Sequence, residues 1–472
     1  MNILFVVHQF LPRHAAGTEI YTYHLMKELQ RRGHQVTLLT TEFYSDRPQY
    51  ELERKEFEGI PIWEAVHNHY FPSFEHSYSD PAMEGIFQRV LDEVRPELVH
   101  FQHLHLHSSG YIDMAKDRQL PIVYTLHEYI LMCLRGGQLL RPDFELCEGP
   151  DPVKCADCAT ILPEPGLPPV PPPTPRQLQR GSWMPGPIRR TVGRIKDALG
   201  LGSRRAAVEV HAEAGVEAPA TKRGYEEAVR TRLAFLKERM AKVDLFVSPS
   251  EFLRERFIAN EMIDPERILF SDNGFFVEPF AGYERPVHSK DQLRVGYIGT
   301  VAEYKGVHLI VEAMQQIDDP GISCEIWGDL ATFPEYESKL LAMPRPAGLE
   351  FKGRFDNGRI ADVLGRLDAL IVPSLWFENS PLTIHEAYLA GIPVLTADRG
   401  GMAELVEDGV TGLHFAMGSS EDLRRQILRL RQEEGLLERL RQKFPQIKTI
   451  AEDTDLVEAR YRALLAGKRP VA

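Results

Sequence analysis

The chain has 472 residues, which is enough for two or three domains that each bury a core of their own. With 43% hydrophobic and 26% charged residues, its composition is that of a globular protein and excludes collagen-like, coiled-coil and wholly disordered chains. The 55 basic and 68 acidic side chains give a net charge of −13, so we expect no nucleic-acid partner.

The first part of the chain predicts a parallel sheet with helices on both faces. Helical patterns separate short apolar or β-branched runs at residues 3–8, 35–40, 98–101 and 121–126. The chain starts directly with one of these runs and lacks the basic region of a signal peptide, so we expect a buried first strand. Because no run of about 20 apolar residues occurs, no helix should span a bilayer, and we expect a cytoplasmic protein.

A segment of different composition interrupts this first domain at about residues 133–225. Residues 163–175 hold eight prolines in thirteen positions, which predicts an extended linker. Residues 176–205 carry eight basic side chains and one acidic one, and apolar residues recur there at helical spacing. This pattern fits a helix that lies on an anionic membrane, which would place the protein on the inner face of the cell membrane. It fits equally well a helix that packs on the N-terminal domain. The apolar residues are Ile188, Val192, Ile195 and Leu199.

Four of the five cysteines fall in the same segment, at the spacing Cys-x13-Cys-x7-Cys-x2-Cys. Four thiolates complete a tetrahedral zinc site, and a loop rich in Gly and Pro has little core, so a bound metal would stabilise it. We therefore expect a structural zinc ion. Four reduced thiols or two disulfides are the alternatives. The four residues are Cys133, Cys147, Cys155 and Cys158.

The second part of the chain repeats the alternation of strand and helix. Apolar runs occur at residues 293–299, 323–327, 368–372, 392–396 and 411–415, with helical patterns between them. The sequence therefore predicts a second doubly wound parallel sheet. In open sheets of this kind, ligands bind at the carboxyl ends of the strands.

Two loops that follow predicted strands carry residues suited to a phosphate. Gly17 lies just before a helix, where a glycine lets an anionic or sugar ligand approach the backbone closely. Lys305 and Gly306 open another helix, which places an ammonium group beside the positive end of a helix dipole. Together they predict a binding site for a diphosphate, although each is also compatible with an ordinary loop.

A third loop carries two carboxylates. Glu378 precedes Ser380, the predicted N-cap, and Pro381, the predicted first residue of a helix. Glu386 follows eight residues after Glu378, so about two helical turns bring both carboxylates to the same side. Carboxylates accept hydrogen bonds from sugar hydroxyls, but an exposed pair on a solvated surface is the alternative.

These motifs, together with several others, resemble the retaining GT-B glycosyltransferases of family 4, the group 1 glycosyltransferases. The resemblance covers nearly all of the chain apart from roughly residues 140–225. It implies two Rossmann-like domains that face a cleft: an acceptor-side domain at 1–280, a nucleotide-sugar domain at 290–444, and a final segment at 445–472 that crosses back. The matching segments are GTEIYTYHLMKEL, RGHQVTLLT, LVHFQH, YTLHE, VSPSEFLRERF, DNGFF, YIGTVAEYKGVHLIVEAM, Glu378 to Glu386, and GIPVLTADRGGMAELVEDGVTGL.

The resemblance also implies roles for single residues. Lys305 would bind the donor diphosphate, and Glu386 would bind the ribose of the nucleotide. Glu378 and His127 would contact the donor sugar near the reacting carbon. The residues that surround the phosphates would be Gly17, from the first domain, and Asn379, Ser380, Pro381 and Leu382, from the second.

The activity implied by the resemblance is hexose transfer with retention and without a catalytic metal. The donor would be a UDP-, GDP- or ADP-sugar, and the acceptor a hydroxyl of a polysaccharide, glycolipid or lipid-linked saccharide. The sequence does not distinguish among these.

One position departs from the family pattern. Relatives usually carry an arginine after the strand glycine that precedes the lysine, whereas Gly299 is followed by Thr300 in this chain. Arg354, at another junction of strand and loop, could supply the missing cation. The departure leaves open a catalytically silent protein that binds nucleotide sugars. A GT-B nucleotide-sugar epimerase is a further alternative, and the pair Glu378 and Glu386 argues against it.

Overall fold

The computed structural model describes residues 1–159 and 222–470, which form two separate parallel sheets. The first sheet has eight strands in the order β3-β4-β2-β1-β5-β6-β7-β8, and β3 alone is antiparallel to its neighbour. Its strands are β1 (Asn2–Val6), β2 (Gln35–Glu42), β3 (Leu52–Phe57), β4 (Ile60–Val66), β5 (Leu98–Phe101), β6 (Ile122–Thr125), β7 (Leu245–Ser248) and β8 (Ile268–Phe270).

Among the described residues, six helices lie along the chain between the strands of the first sheet. The predicted proline-rich linker and the predicted basic helix, between α4 and α5, lie outside the described residues. In the part of the chain that the structure describes, no helix is both long enough and apolar enough to cross a membrane. The helices are α1 (Gly17–Arg31), α2 (Pro81–Val94), α3 (Tyr111–Asp117), α4 (Pro152–Ala159), α5 (Lys222–Met240) and α6 (Glu251–Ala259).

The second sheet has six strands, all parallel, in the order β11-β10-β9-β12-β13-β14. The strands are β9 (Leu293–Ile298), β10 (Ile322–Trp327), β11 (Leu349–Gly353), β12 (Ala369–Val372), β13 (Val394–Ala397) and β14 (Gly412–Phe415). The helices that follow the first sheet in the chain are α7 (Val307–Gln315), α8 (Pro334–Ala342), α9 (Ile360–Leu364), α10 (Leu382–Leu389), α11 (Gly400–Leu405), α12 (Ser420–Gln432), α13 (Leu436–Leu440) and α14 (Ile450–Leu465).

Strand β1 shows why the chain forms covered sheets. Because successive side chains of a strand point to opposite faces, Ile3 and Phe5 enter the core on one face of the sheet, and Leu4 and Val6 enter the core on the other. All four side chains are fully buried. A run without polar residues is therefore stable only with helices on both faces, as the sequence predicted.

The last helix, α14, packs on the first sheet rather than on the second. Its Tyr461 hydroxyl lies 2.5 Å from Nδ1 of His100 on β5, and the Tyr21 hydroxyl of α1 donates to the Asp453 carboxylate at 2.8 Å. Thr449 caps the helix and forms a reciprocal capping box with Glu452. The final segment thus crosses from the second sheet to complete the core of the first.

Candidate active site

The carboxyl ends of the two sheets face each other across a cleft. A Cβ atom placed on Gly17, at the start of α1, would lie 3.5 Å from Cγ of Leu382, at the start of α10. Nearby, the Asn379 amide donates to the carbonyl oxygen of Leu126 at 3.1 Å and accepts from the Ser250 hydroxyl at 2.6 Å. The two helix N-termini therefore meet at the cleft, where an anion would contact both.

Lys305 and Glu378 form the charged centre of the cleft. Nζ of Lys305 lies 2.6 Å from Oε1 of Glu378, which is only 7% exposed. The same oxygen accepts from the Ser374 hydroxyl at 2.6 Å and from Nε1 of Trp376 at 2.9 Å. Three donors on one carboxylate oxygen fix its position and, with it, the position of the ammonium group.

Gly306 allows this pair to form. It has a φ of 70°, in the left-handed region, and an added Cβ would lie 2.0 Å from the carbonyl oxygen of Pro373. The turn after β9 can therefore approach the end of β12 only with glycine at this position. That approach places Lys305 beside Glu378.

Helix α10 presents its N-terminus to the cleft. Its N-cap is Pro381 rather than the predicted Ser380, because the Ser380 hydroxyl donates to Asp272 at 2.8 Å. No side chain among the described residues caps the helix, so its first N–H groups are left for another acceptor. About one turn further along the helix, burial raises the pKa of Glu386 to about 7 from its usual 4.5.

His127 follows β6 on the opposite wall of the cleft. Its Nε2 lies 2.7 Å from Oε1 of Gln102, and its ring is 5.5 Å from that of Tyr21. Burial lowers the pKa of His127 to about 3, so the imidazole is neutral at pH 7. A neutral ring can donate to or accept from a sugar hydroxyl.

Two models of known protein families match this chain. The family described as glycosyl transferases group 1 matches residues 284–446, and glycosyltransferase family 4 matches residues 15–145. Together they cover more than half of the chain. The chain belongs to the group 1 glycosyltransferases. The predicted family is thereby confirmed.

Curated relatives of this glycosyltransferase are distant. The lipopolysaccharide 1,2-N-acetylglucosaminetransferase of Salmonella typhimurium is 27% identical over 37% of this chain and 50% of its own length. The D-inositol 3-phosphate glycosyltransferase of Actinosynnema mirum is 25% identical over 45% of this chain and 54% of its own. The chain thus spans about half the length of the curated relatives it matches.

Solved structures confirm the GT-B fold of this glycosyltransferase. Anabaena HepE in complex with UDP and glucose superimposes with a TM-score of 0.56 at 15% identity, covering 99% of both chains. The sucrose-phosphate synthase of Thermosynechococcus elongatus superimposes with a TM-score of 0.61 at 16% identity, again over 99% of both chains. At 15% and 16% identity, the structural similarity shows the fold alone.

Arg354 does not join Lys305 in the structure. Its guanidinium Nε donates to the Asp329 carboxylate at 2.9 Å, and the side chain is 67% exposed. It follows β11, the edge strand, which is separated from β9 by β10. That Arg354 supplies the cation missing at Thr300 therefore stays a prediction, and it would require the Arg354 side chain to leave Asp329.

Sequence reasoning missed the contacts that hold the two halves of this glycosyltransferase together. Asp272, which follows β8, accepts from the Ser380 hydroxyl and lies 2.8 Å from Nε2 of His385 on α10. Within the second half, a further contact was missed: the backbone N–H of Gly401, on α11, donates to the carbonyl oxygen of Glu378 at 2.7 Å. Asp272 lies in DNGFF and Gly401 in RGGM, two segments that resemble the family. The acid of the first and the glycines of the second could have indicated these contacts.

A histidine cluster in the first domain was also missed. The rings of His8, after β1, and His103, after β5, are 4.1 Å apart, and Nε2 of His8 lies 3.3 Å from the Glu19 carboxylate. Burial lowers the pKa of both histidines well below the usual value, so they are neutral. The alternation of histidines in HLHLH directly after a predicted strand was the signal for this cluster.

Proposed function

We propose that this glycosyltransferase transfers a hexose from a nucleotide-sugar donor to a hydroxyl group of a saccharide, glycolipid or lipid-linked acceptor, with retention of configuration. The observation that carries the proposal is the Lys305–Glu378 pair beside the uncapped N-terminus of α10. A cation and a helix N-terminus at one point form a site for a diphosphate leaving group.

The leaving group is stabilised by the protein's own charges in this proposal. Lys305 and the first N–H groups of α10 would share the negative charge that develops on the diphosphate. A catalytic metal ion is then not required, as the resemblance implies. Glu386, on the same helix, would accept hydrogen bonds from the ribose hydroxyls.

The sugar would lie between Glu378 and His127. In the transfer step, a bond forms between the acceptor oxygen and the anomeric carbon, while the bond from that carbon to the phosphate oxygen breaks. The acceptor proton passes to an oxygen of the departing diphosphate on the same face, which preserves the configuration. The neutral His127 would orient a hydroxyl of the donor sugar.

The acceptor would bind along the first sheet. Two relatives bear names that specify acceptors with hydroxyl groups, a lipopolysaccharide and an inositol phosphate, and this supports the acceptor class. A cytoplasmic location would match a nucleotide-sugar donor, and contact with an anionic membrane through the basic residues 176–205 would bring a lipid-linked acceptor within reach.

The test is binding of UDP-, GDP- and ADP-sugars, measured by calorimetry and thermal shift. Selective stabilisation by one donor should be lost in Lys305→Ala and in Glu386→Ala. It should persist in Lys290→Ala, whose side chain is 90% exposed. With that donor and an acceptor panel, proton NMR of the product should show the donor's anomeric configuration. If no nucleotide sugar binds, the proposal is wrong. If one binds and no acceptor reacts, the silent binding protein replaces it.

A further inference from the structure

The four clustered cysteines line one small cavity in the first domain. Cys133 comes from the loop after β6, Cys147 from the segment that follows it, and two cysteines lie one turn apart on α4. The structure records all of them as free thiols, so the two-disulfide alternative is not what it contains. The cavity walls are otherwise apolar and basic; the basic residues are Arg135, Arg141 and Lys154.

The positive charge around this cavity is only partly compensated. Nη1 of Arg135 is buried and has no hydrogen-bond partner in the part of the chain that is described. Nε of Arg141 makes no hydrogen bond either, but it lies 3.8 and 3.9 Å from two carboxylates. Arg232 of α5, only 4% exposed, donates to the carbonyl oxygens of Ile130 and Met132, which carry no charge. A buried guanidinium nitrogen without a partner is costly, so Arg135 would gain from an anion inside the cavity.

We propose that Cys133, Cys147, Cys155 and Cys158 bind one structural zinc ion as four thiolates. Zinc with four thiolates carries a net charge of about −2, which supplies an anion beside Arg135, and N–H groups of neighbouring side chains can donate to such thiolates. Nη1 of Arg135, which has no other partner among the described residues, is suited to this role. Four protein ligands leave no position for a substrate, so the ion is structural.

Metal binding requires the thiols to turn towards one another. Within residues 1–159 and 222–470, no group of three or more His, Cys, Asp or Glu side chains is arranged to hold a metal ion. Sγ of Cys147 instead donates to the carbonyl oxygen of Gly149 at 3.0 Å. This weak hydrogen bond would be exchanged for a zinc–thiolate bond near 2.3 Å.

The zinc site would brace the loop that carries His127. Cys133 follows His127 by six residues, and its backbone N–H donates to the carbonyl oxygen of Tyr129 at 2.6 Å. Arg232 binds two further carbonyls of the same loop, at Ile130 and Met132. The metal would therefore join this loop, α4 and α5 into one unit beside the cleft.

Zinc content of the purified full-length protein tests the proposal. We expect about one zinc per chain by mass spectrometry of the metal, lost in Cys155→Ser and in Cys158→Ser. Cys324→Ala should keep the metal, because Cys324 is buried in the core of the second sheet. Less than about half an equivalent in the wild type, or zinc retained in both serine variants, would overturn the proposal.

A second measurement decides the matter if the serine variants fail to fold. The wild-type protein is unfolded without oxygen in the presence of a colorimetric zinc chelator, and its thiols are counted. Zinc release together with five thiols supports the site. Five thiols without zinc, or one thiol without zinc, would establish the reduced-thiol or the disulfide alternative instead. Cobalt in place of zinc should add a thiolate-to-metal absorption band, and its absence would contradict thiolate ligation.

Discussion

Nζ of Lys305 and Oε1 of Glu378 are 2.6 Å apart, so the main cation of the cleft is already paired with a carboxylate. In the proposed function, a donor diphosphate would share this ammonium group with Glu378. The pair holds the cation in place and also reduces the net positive charge that the phosphates meet. Glu378 therefore positions the ammonium group of Lys305 and at the same time weakens its attraction for phosphate. A variant at Glu378 can measure which effect is larger.

Replacing Glu378 with Gln should strengthen the binding of UDP or another nucleoside diphosphate by several-fold, because the competing charge is removed. Transfer should fall by at least about 100-fold, since the carboxylate that would face the donor sugar in the proposed function is lost. Calorimetry with the nucleoside diphosphate and a rate assay with the donor separate the two effects. Weaker binding of the diphosphate would show that Glu378 supports the phosphate site instead of competing with it.

Gly306→Ala should destabilise the second domain and displace Lys305. The added methyl group would meet the carbonyl oxygen of Pro373, and the alanine would have to adopt a φ of 70°. Together these two effects cost about 1–3 kcal/mol. Gly85→Ala, inside α2, meets nothing within 4 Å and should be neutral or stabilising. The melting temperature and the affinity for the donor should therefore both fall in Gly306→Ala and not in Gly85→Ala.

Glu386 should make stability depend on pH. Its pKa in the folded protein is about 7 and in the unfolded chain about 4.5, so unfolding releases a proton between these values and stability falls as pH rises through them. Gln at this position cannot titrate. The melting temperature of Glu386→Gln minus that of the wild type should therefore increase from pH 5 to pH 8. A difference that is constant over this range would contradict the raised pKa.

Two acids on α14 form a matched pair for a stability test. Asp453, 2% exposed, accepts from the Tyr21 hydroxyl and from Lys448, and Asp453→Ala leaves both donors without this acceptor, at a cost of about 3 kcal/mol. Asp455 is 70% exposed although it pairs with Arg32, so Asp455→Ala should change stability by less than about 0.5 kcal/mol. Equal melting temperatures for the two variants would be the contrary result.

The sequence was sufficient for the strands that are buried on both faces, because an uninterrupted apolar run has few other structures open to it. It was insufficient for β3, LERKEF, an edge strand whose four central residues are all charged and whose pairing depends on the neighbouring β4. The short strand β8 was likewise missed, since three residues carry no periodicity.

For the cleft, the sequence supplied residue types but not their partners. Spacing placed Lys305 and Glu378 each after a strand, and only the strand order, with β9 next to β12, makes them neighbours. The same holds for Asp272, whose contact with His385 joins residues 113 positions apart. The cap of α10 was predicted wrongly because Ser380 has a tertiary partner that outweighs its local preference.

Helix α14 lies on the first sheet, and its Ile450, Val457 and Tyr461 share a core with Ile3 and Phe5 of β1. During synthesis, the first strand leaves the ribosome long before the residues that cover it. The second sheet, by contrast, has all its strands by residue 415. The half of the molecule that is synthesised first is therefore the last to complete its core. A chain truncated before α14 would leave one face of the first sheet's core exposed to other molecules.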